Sequence, residues 1–229
     1  LSIEIQNYTA LTVNQREKLL AFAIEHNLIR MIFRYRKTID VIYEQETPYI
    51  LFDNIPVEID AYCFLQSSAE SDTILSDLVL NYLKPKDGSY GVDLFCGRGT
   101  YTLPLSKYIT MDGFESDKKS LNALGKASIA NKRNINLHLK DLFTDPVSSE
   151  NLKKYNICVI NPPRAGAEVQ AHEIAKSGIS KICYISCNPE TFARDAEILI
   201  GSGYVLKEVT PVDQFYWSPH LEIVGYFEL

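Results

Sequence analysis

Cys187, in the run Ile182-Cys-Tyr-Ile-Ser-Cys187-Asn-Pro-Glu-Thr191, puts a thiol where strand-forming residues meet helix-starting ones. Ile182 to Ser186 have β character. Asn188 is a good N-cap, and Pro189 suits the first helical position, where its missing N–H costs nothing. A thiol there sits at a strand's carboxyl end and beside the positive end of a helix dipole. That favours thiolate over thiol and makes Cys187 a candidate nucleophile. A free cysteine can equally be a small buried hydrophobe, so other residues must decide.

Val92-Asp-Leu-Phe-Cys-Gly97-Arg-Gly99-Thr100 reads as a strand feeding a glycine turn, which lets backbone approach a ligand at the strand's carboxyl end. The third glycine of a dinucleotide fingerprint is missing. Asp93 inside the strand and the short Gly-x-Gly turn suit a nucleoside carrying an amino acid. A second strand ends in Glu115, placed to accept both hydrogen bonds of a ribose diol. A third runs to Asp141, where a carboxylate can take the exocyclic amine of adenine. Each acid alone reads as a solvated or capping group. Three at successive strand ends, in step with a glycine turn, fit S-adenosylmethionine better than NAD. A fourth strand ends in Asn161-Pro162-Pro163-Arg164, a stiff loop at the sheet's switch region, either lining the crevice or serving only as a turn.

The elements that must hold these residues follow from periodicity. Thr12 to Asn27 reads as an amphipathic helix, followed by β-like runs at Leu28–Lys37, Thr38–Glu44 and Tyr49–Ile59 with turn signals at Pro48 and Asp53-Asn54. Gln66 to Ser71 reads as a polar connector and Asp72 to Leu83 as a second helix. From Tyr90 the pattern alternates: strands at 90–96, 109–115, 135–140, 156–161, 181–187, 204–213 and 221–228, with helices at 117–131, 168–178 and 190–202. Several strands are apolar on both faces, as in a parallel sheet covered by helices. The fold class expected is α/β, a Rossmann-like seven-stranded sandwich over residues 66–229, preceded by a small α+β domain over 1–65.

Of the 229 residues, 46% are hydrophobic and 23% charged, an ordinary globular balance, and no apolar run is long enough to span a bilayer. The five cysteines lack metal-like spacing, which predicts a reducing cytoplasm and no structural metal or iron–sulfur cluster. A net charge of −6 argues against a generally basic nucleic-acid binder, though not against a local patch. Arg30, Arg34 and Arg36 share one face if 29–37 is a strand, either as a solvated face or as a strip touching phosphates. The chain starts at Leu1 rather than Met, as a fragment would.

With Asp93-Leu-Phe-Cys-Gly-Arg-Gly99, Asn161-Pro-Pro-Arg164, Ile185-Ser-Cys-Asn-Pro-Glu-Thr191 and Pro219-His-Leu-Glu222 in this order, the chain resembles the RNA uridine-5-methyltransferases. These S-adenosylmethionine-dependent enzymes make 5-methyluridine in tRNA and 23S rRNA. The resemblance covers about residues 28–229 and is strongest from Phe64 onward. It implies cofactor contacts at Gln66, Phe95, Thr100, Glu115, Asp141 and Asn161, a nucleophile at Cys187 and a general base at Glu222. It also implies an RNA partner, no membrane and a cytoplasmic enzyme, expected to be a monomer. The sequence departs from the family pattern at Asn161, where the family usually has Asp, and at Thr100-Tyr101, where an Asn and an aromatic are common. Counterparts of the family's frequent amino-terminal β-barrel and of its four iron–sulfur cysteines are missing from the sequence.

The implied chemistry explains the residue types. Carbon 5 of uracil is a poor nucleophile; a thiolate adding to carbon 6 makes an enolate whose carbon 5 can take a methyl group. The carbon-5 proton must then leave, which calls for a base, and a partly desolvated Glu222 suits that task. Without the resemblance, Glu222 reads as an edge-strand carboxylate. His220 reads as an orienting residue. Tyr216 and Trp217 either stack a flipped base or close the core, and Arg164 and Arg194 either meet RNA or form structural ion pairs. Two competing functions stay open: an N-methyltransferase acting on an exocyclic amine, which needs no cysteine, and a non-catalytic RNA- or partner-binding relic of the cofactor fold.

Overall fold

The computed structural model describes residues 2–7, 9–63, 65, 68–214 and 221–229. The chain forms two compact units, one of Leu1–Ile50 and Pro56–Leu65, the other of Leu51–Ile55 and Gln66–Leu229.

In the first unit, β1 (Ser2–Asn7) lies parallel to β2 (Arg30–Tyr35), which pairs antiparallel with β3 (Thr38–Glu44). Helix α1 (Val13–Glu25) begins at a capping box in which Thr12 and Gln15 satisfy each other's backbone N–H groups. Its Ala23 and Leu19 pack with Leu28, Met31 and Ile3. The run read as one strand from Tyr49 is two, β4 (Tyr49–Phe52) and β5 (Ile55–Glu58), turned at Asp53-Asn54, both with positive φ. Arg30 corrects the reading of an arginine strip: it is buried, and its guanidinium donates to Ser2, Glu4 and the carbonyls of Ile59 and Asp60. Arg36 lies past the strand's end at φ 52°, so the three arginines do not line one strand face.

The second unit has one seven-stranded sheet, ordered β11-β12-β10-β9-β6-β7-β8. The strands are β6 (Tyr90–Leu94), β7 (Thr110–Glu115), β8 (Ile135–Leu139), β9 (Ile157–Ile160), β10 (Lys181–Ser186), β11 (Val205–Val212) and β12 (Glu222–Glu228). β12 runs antiparallel to both of its neighbours. The expected α/β sandwich is therefore present. The chain moves from β6 to β7 on one side and later returns to β9 on the other. The carboxyl ends of β6 and β9 thus bound the switch-point crevice where such sheets bind ligands.

Alternation along the strands divides the core in two. One face carries Cys183, Ile185, Val224, Val159 and Tyr101 against Leu75, Val79 and Leu83 of α2 (Ala69–Leu83) and Leu105 of α3 (Thr102–Leu105). The other carries Ile182, Tyr184, Ile223 and Phe227, packed with Leu152 of α5 (Ser149–Leu152), Ile174 of α6 (Glu168–Ala175) and Phe192 of α7 (Pro189–Gly201). Helix α4 (Lys118–Ala130) covers β7 and β8. Phe192 lies so close to β12 that a Cβ on Gly225 would stand 2.5 Å from its ring. The short helices α3 and α5 and the strand β1 are additions to the sequence reading.

Candidate active site

The glycine turn after β6 is held in an unusual backbone. Phe95, Gly97 and Gly99 have φ of 63°, 53° and 96°. A Cβ on Gly99 would meet Leu124 at 2.5 Å, while the space beside Gly97 is open, so backbone is presented there without a side chain in front of it. Glu115, the last residue of β7, fixes this turn. Its Oε2 accepts the Gly97 N–H at 3.0 Å, and its Oε1 accepts the N–H groups of Ser116 at 2.7 Å and Asp117 at 2.8 Å. Asp141, two residues beyond β8, is exposed and accepts the Phe143 N–H at 3.0 Å. Phe143 in turn lies 5.3 Å from Phe95, centroid to centroid. Asn161 follows β9 directly, with its N–H on the Leu94 carbonyl at 3.2 Å. Phe95, Thr100, Glu115, Asp141 and Asn161 therefore all lie at or beyond the carboxyl ends of β6, β7, β8 and β9. Gln66, like Tyr216, Trp217 and His220, lies outside the described residues.

Asp93 was read only as part of the motif. It is fully buried; Oδ2 accepts the Thr102 hydroxyl at 2.6 Å and Oδ1 has no hydrogen-bond partner among the described residues. Burial above all, with Glu115 nearby, pushes this carboxyl up to about 7.

The Asn161 loop and the start of α7 form one bolted piece. Asn188 caps α7 by accepting the Glu190 N–H at 3.1 Å and donates to the Arg164 carbonyl at 3.2 Å, which also accepts the Thr191 hydroxyl at 3.3 Å. Asp195, fully buried, accepts the Ala167 N–H at 2.7 Å and pairs with Arg194 at 2.7 Å. Arg194 also donates to the Ala165 carbonyl and sits 3.5 Å from Glu168, the structural alternative of the two considered for it.

Cys187 follows β10 and precedes the Asn188 cap, half-buried. Ser186 faces Ile223 across the sheet, so Cys187 and Glu222 are the next residues outward on adjacent strands. By alternation from Ile185 and Val224 they share the face that α2 covers. β12 is flanked by β10 and β11, and Val212 faces Glu222, so Glu222 is not on a sheet edge. It is 5% exposed, and burial pushes its carboxyl up to about 7 against the opposing hydrogen bond from Gln214. The thiol of Cys187 is also raised, first by burial and then by the Glu222 charge; its local backbone hydrogen bond and Arg164 oppose this more weakly. The expectation of a thiolate favoured by the helix start is thus corrected. In the bare chain, desolvation and a neighbouring carboxylate outweigh the helix terminus.

Among the described residues no cluster of His, Cys, Asp and Glu could hold a metal ion, and no helix is long and apolar enough to cross a membrane.

The comparisons with known proteins agree on one family. The tRNA (uracil-5-)-methyltransferase family model matches residues 6–228. An uncharacterized RNA methyltransferase of Brucella melitensis is 39% identical over 213 residues, covering 92% of this chain and 50% of the relative. The 23S rRNA (uracil(1939)-C(5))-methyltransferase RlmD of Mannheimia succiniciproducens is 34% identical, covering 95% of this chain and 50% of its own length. This chain thus spans about half the length of these relatives. The solved tRNA (uracil-54, C5)-methyltransferase of Pyrococcus abyssi, in complex with S-adenosyl-L-homocysteine, shares the fold at a TM-score of 0.73 and 23% identity, over 87% of this chain and 50% of that one. With its glycine turn, its Asn-Pro-Pro-Arg loop and its Ser-Cys-Asn-Pro junction on one edge of a seven-stranded sheet, the chain belongs to the tRNA (uracil-5-)-methyltransferase family.

Proposed function

We propose that this chain methylates carbon 5 of a uridine in RNA, tRNA or 23S rRNA, using S-adenosylmethionine, with Cys187 as nucleophile and Glu222 as base. The observation that carries this reading is the pairing of a half-buried thiol with a carboxyl near 7 at the outer ends of β10 and β12, on one face of the sheet. The names of the relatives support the substrate class: one acts on 23S rRNA and another on tRNA.

The residues present suit the cofactor. The open backbone at Gly97, the carboxylate of Glu115 on the same turn and the Phe95–Phe143 pair near Asp141 fit, respectively, an amino-acid tail, a ribose diol and an adenine. Thr100 and Asn161 complete the same edge, with Gln66 as the further expected contact. S-adenosylmethionine supplies an electrophilic methyl group when bound.

Cys187 sulfur forms a bond to carbon 6 of the uracil, and the ring's double-bond electrons move onto the carbon-4 oxygen. Carbon 5 of this enolate becomes methylated. Glu222 then takes the carbon-5 proton, the electrons restore the 5,6 double bond, and the carbon–sulfur bond breaks to return the thiolate. The Glu222 charge opposes the Cys187 thiolate, so nucleophilic attack is favoured while Glu222 is neutral. Proton removal requires Glu222 to be charged. Over one turnover the carboxyl must therefore shed a proton between the two steps.

The test is to incubate the chain with 5-fluorouridine-substituted tRNA and 23S rRNA transcripts and S-adenosylmethionine. Fluorine cannot leave as a proton, so a covalent protein–RNA adduct is expected, lost in Cys187→Ala. A Cys187→Ala variant that still methylates RNA would replace this reading with the N-methyltransferase one.

A further inference from the structure

We propose that Tyr101 and Asp72 are positioning residues for Glu222, forming a buried hydroxyl–carboxyl relay that carries protons off the base between the two halves of the reaction. This rests on the reading of Glu222 as the base.

Helix α2 runs against the direction of β10. At one end, Lys181, the first residue of β10, donates from Nζ to the carbonyl of Leu83, the last residue of α2, at 3.1 Å. From Leu83 back to Asp72 the helix rises about 16 Å. From Lys181 to Cys187 the strand climbs about 20 Å. The first turns of α2 therefore stand near the level of the site. Asp72 precedes Leu75 and Val79 by three and seven residues, so it continues the apolar stripe that packs on the face bearing Cys187 and Glu222. Tyr101 belongs to that packed cluster, at 2% exposure.

The polar atoms brought there are unusually bare. Both carboxyl oxygens of Asp72 and the hydroxyl of Tyr101 are buried with no hydrogen-bond partner among the described residues, and Asp72 is 5% exposed. Buried polar groups in folded proteins are nearly always paired, and two together in the apolar stripe behind a catalytic carboxyl call for a role. The charged and titratable groups acting on the Tyr101 hydroxyl are Glu222 from β12, Asp93 from β6, Cys183 from β10 and Asp72 from α2, with Glu222 the strongest. Tyr101 thus lies electrically between Glu222 and Asp72. Burial holds the Asp72 carboxyl up at about 6, close to Glu222, so a proton passes between the two without a large penalty either way.

The proton balance is simple. The Glu222 carboxyl gives its proton to the Tyr101 oxygen, and the Tyr101 hydroxyl releases its own toward the Asp72 carboxylate, directly or across a water. Asp72 passes it to solvent at the start of α2, where Thr73 is exposed. No electron pair or heavy atom is displaced.

The experiment compares rapid-quench and steady-state methyl transfer from labelled S-adenosylmethionine to tRNA and 23S rRNA transcripts, across pH 6 to 9. Tyr101→Phe keeps the ring and Asp72→Asn keeps the shape. Each is expected to give a first-turnover burst at the parent rate followed by a steady state slowed at least about tenfold. Combining the two should add nothing, and raising the pH should restore the lost rate. A burst and a steady state that fall in the same proportion, or two variants indistinguishable from the parent, would overturn the relay. A Glu222→Gln variant run alongside separates the cases: if it turns over normally, the reading of Glu222 as base fails, whereas a dead Glu222→Gln with normal Tyr101→Phe and Asp72→Asn removes the relay alone.

Discussion

Cys187 and Glu222 are set side by side by strand register: Ser186 faces Ile223, and each functional residue is one step further out on its strand. The carboxyl raises the thiol, so the two groups oppose one another's charge. Their joint behaviour, rather than either one alone, sets the chemistry.

Replacing Cys187 by Ala should abolish methyl transfer and adduct formation while leaving the fold and cofactor binding intact. The thiol is half-buried at a helix start, not packed in the core. Gel-shift analysis with 5-fluorouridine RNA and calorimetry with S-adenosylhomocysteine read the two properties separately.

Glu222→Gln should stop the reaction after methyl transfer, so that a methylated covalent adduct accumulates on ordinary uridine RNA. In the parent the base works when ionised, and its carboxyl lies at about 7. The rate should therefore rise through pH 7 and be about tenfold lower one pH unit below that midpoint than at the plateau. A profile flat between pH 6 and 8 would contradict this.

Asp72→Asn should stabilise the protein at alkaline pH. Burial raises this carboxyl from 3.8 to about 6, so the folded state holds the proton more tightly than the unfolded one. Stability is then lost as pH rises from about 4 to about 6, by at most about 3 kcal/mol. Urea unfolding should show the variant more stable at pH 8 and the two proteins converging near pH 4.

Glu115→Ala should weaken S-adenosylhomocysteine binding about 10- to 100-fold, the loss of one or two charged hydrogen bonds plus a loosened turn. The same carboxylate holds the N–H groups of Gly97, Ser116 and Asp117. Glu115→Gln, which keeps an acceptor, should lose less.

Most of the sheet was legible because its strands are continuous apolar runs separated by helix caps and glycine turns. Thr38–Glu44 was bounded correctly, and the strands from Tyr90 onward fell within a residue or two. β1 was missed because Ser2–Asn7 mixes Glu and Gln with two isoleucines and pairs with a strand more than twenty residues away. The junction at Cys187 was readable because Asn188 and Pro189 signal a helix start locally. The direction of the thiol's shift was not, since it depends on Glu222, 35 positions along the sequence, and on burial. Arg30 looked like a surface charge for the same reason: its four partners come from β1 and from the segment after β5. Asp72 left a signal that went unused, an acid in register with Leu75, Val79 and Leu83 on a helix otherwise buried along that line.

The contact between Phe192 and Gly225 fixes how far the nucleophile's helix stands from the base's strand. A single added methyl at Gly225 would act as a shim, wedging α7 outward and widening the gap between sulfur and carboxyl without altering either group. The spacing that decides reactivity is thus held by the smallest side chain available, and it is adjustable from the opposite side of the sheet.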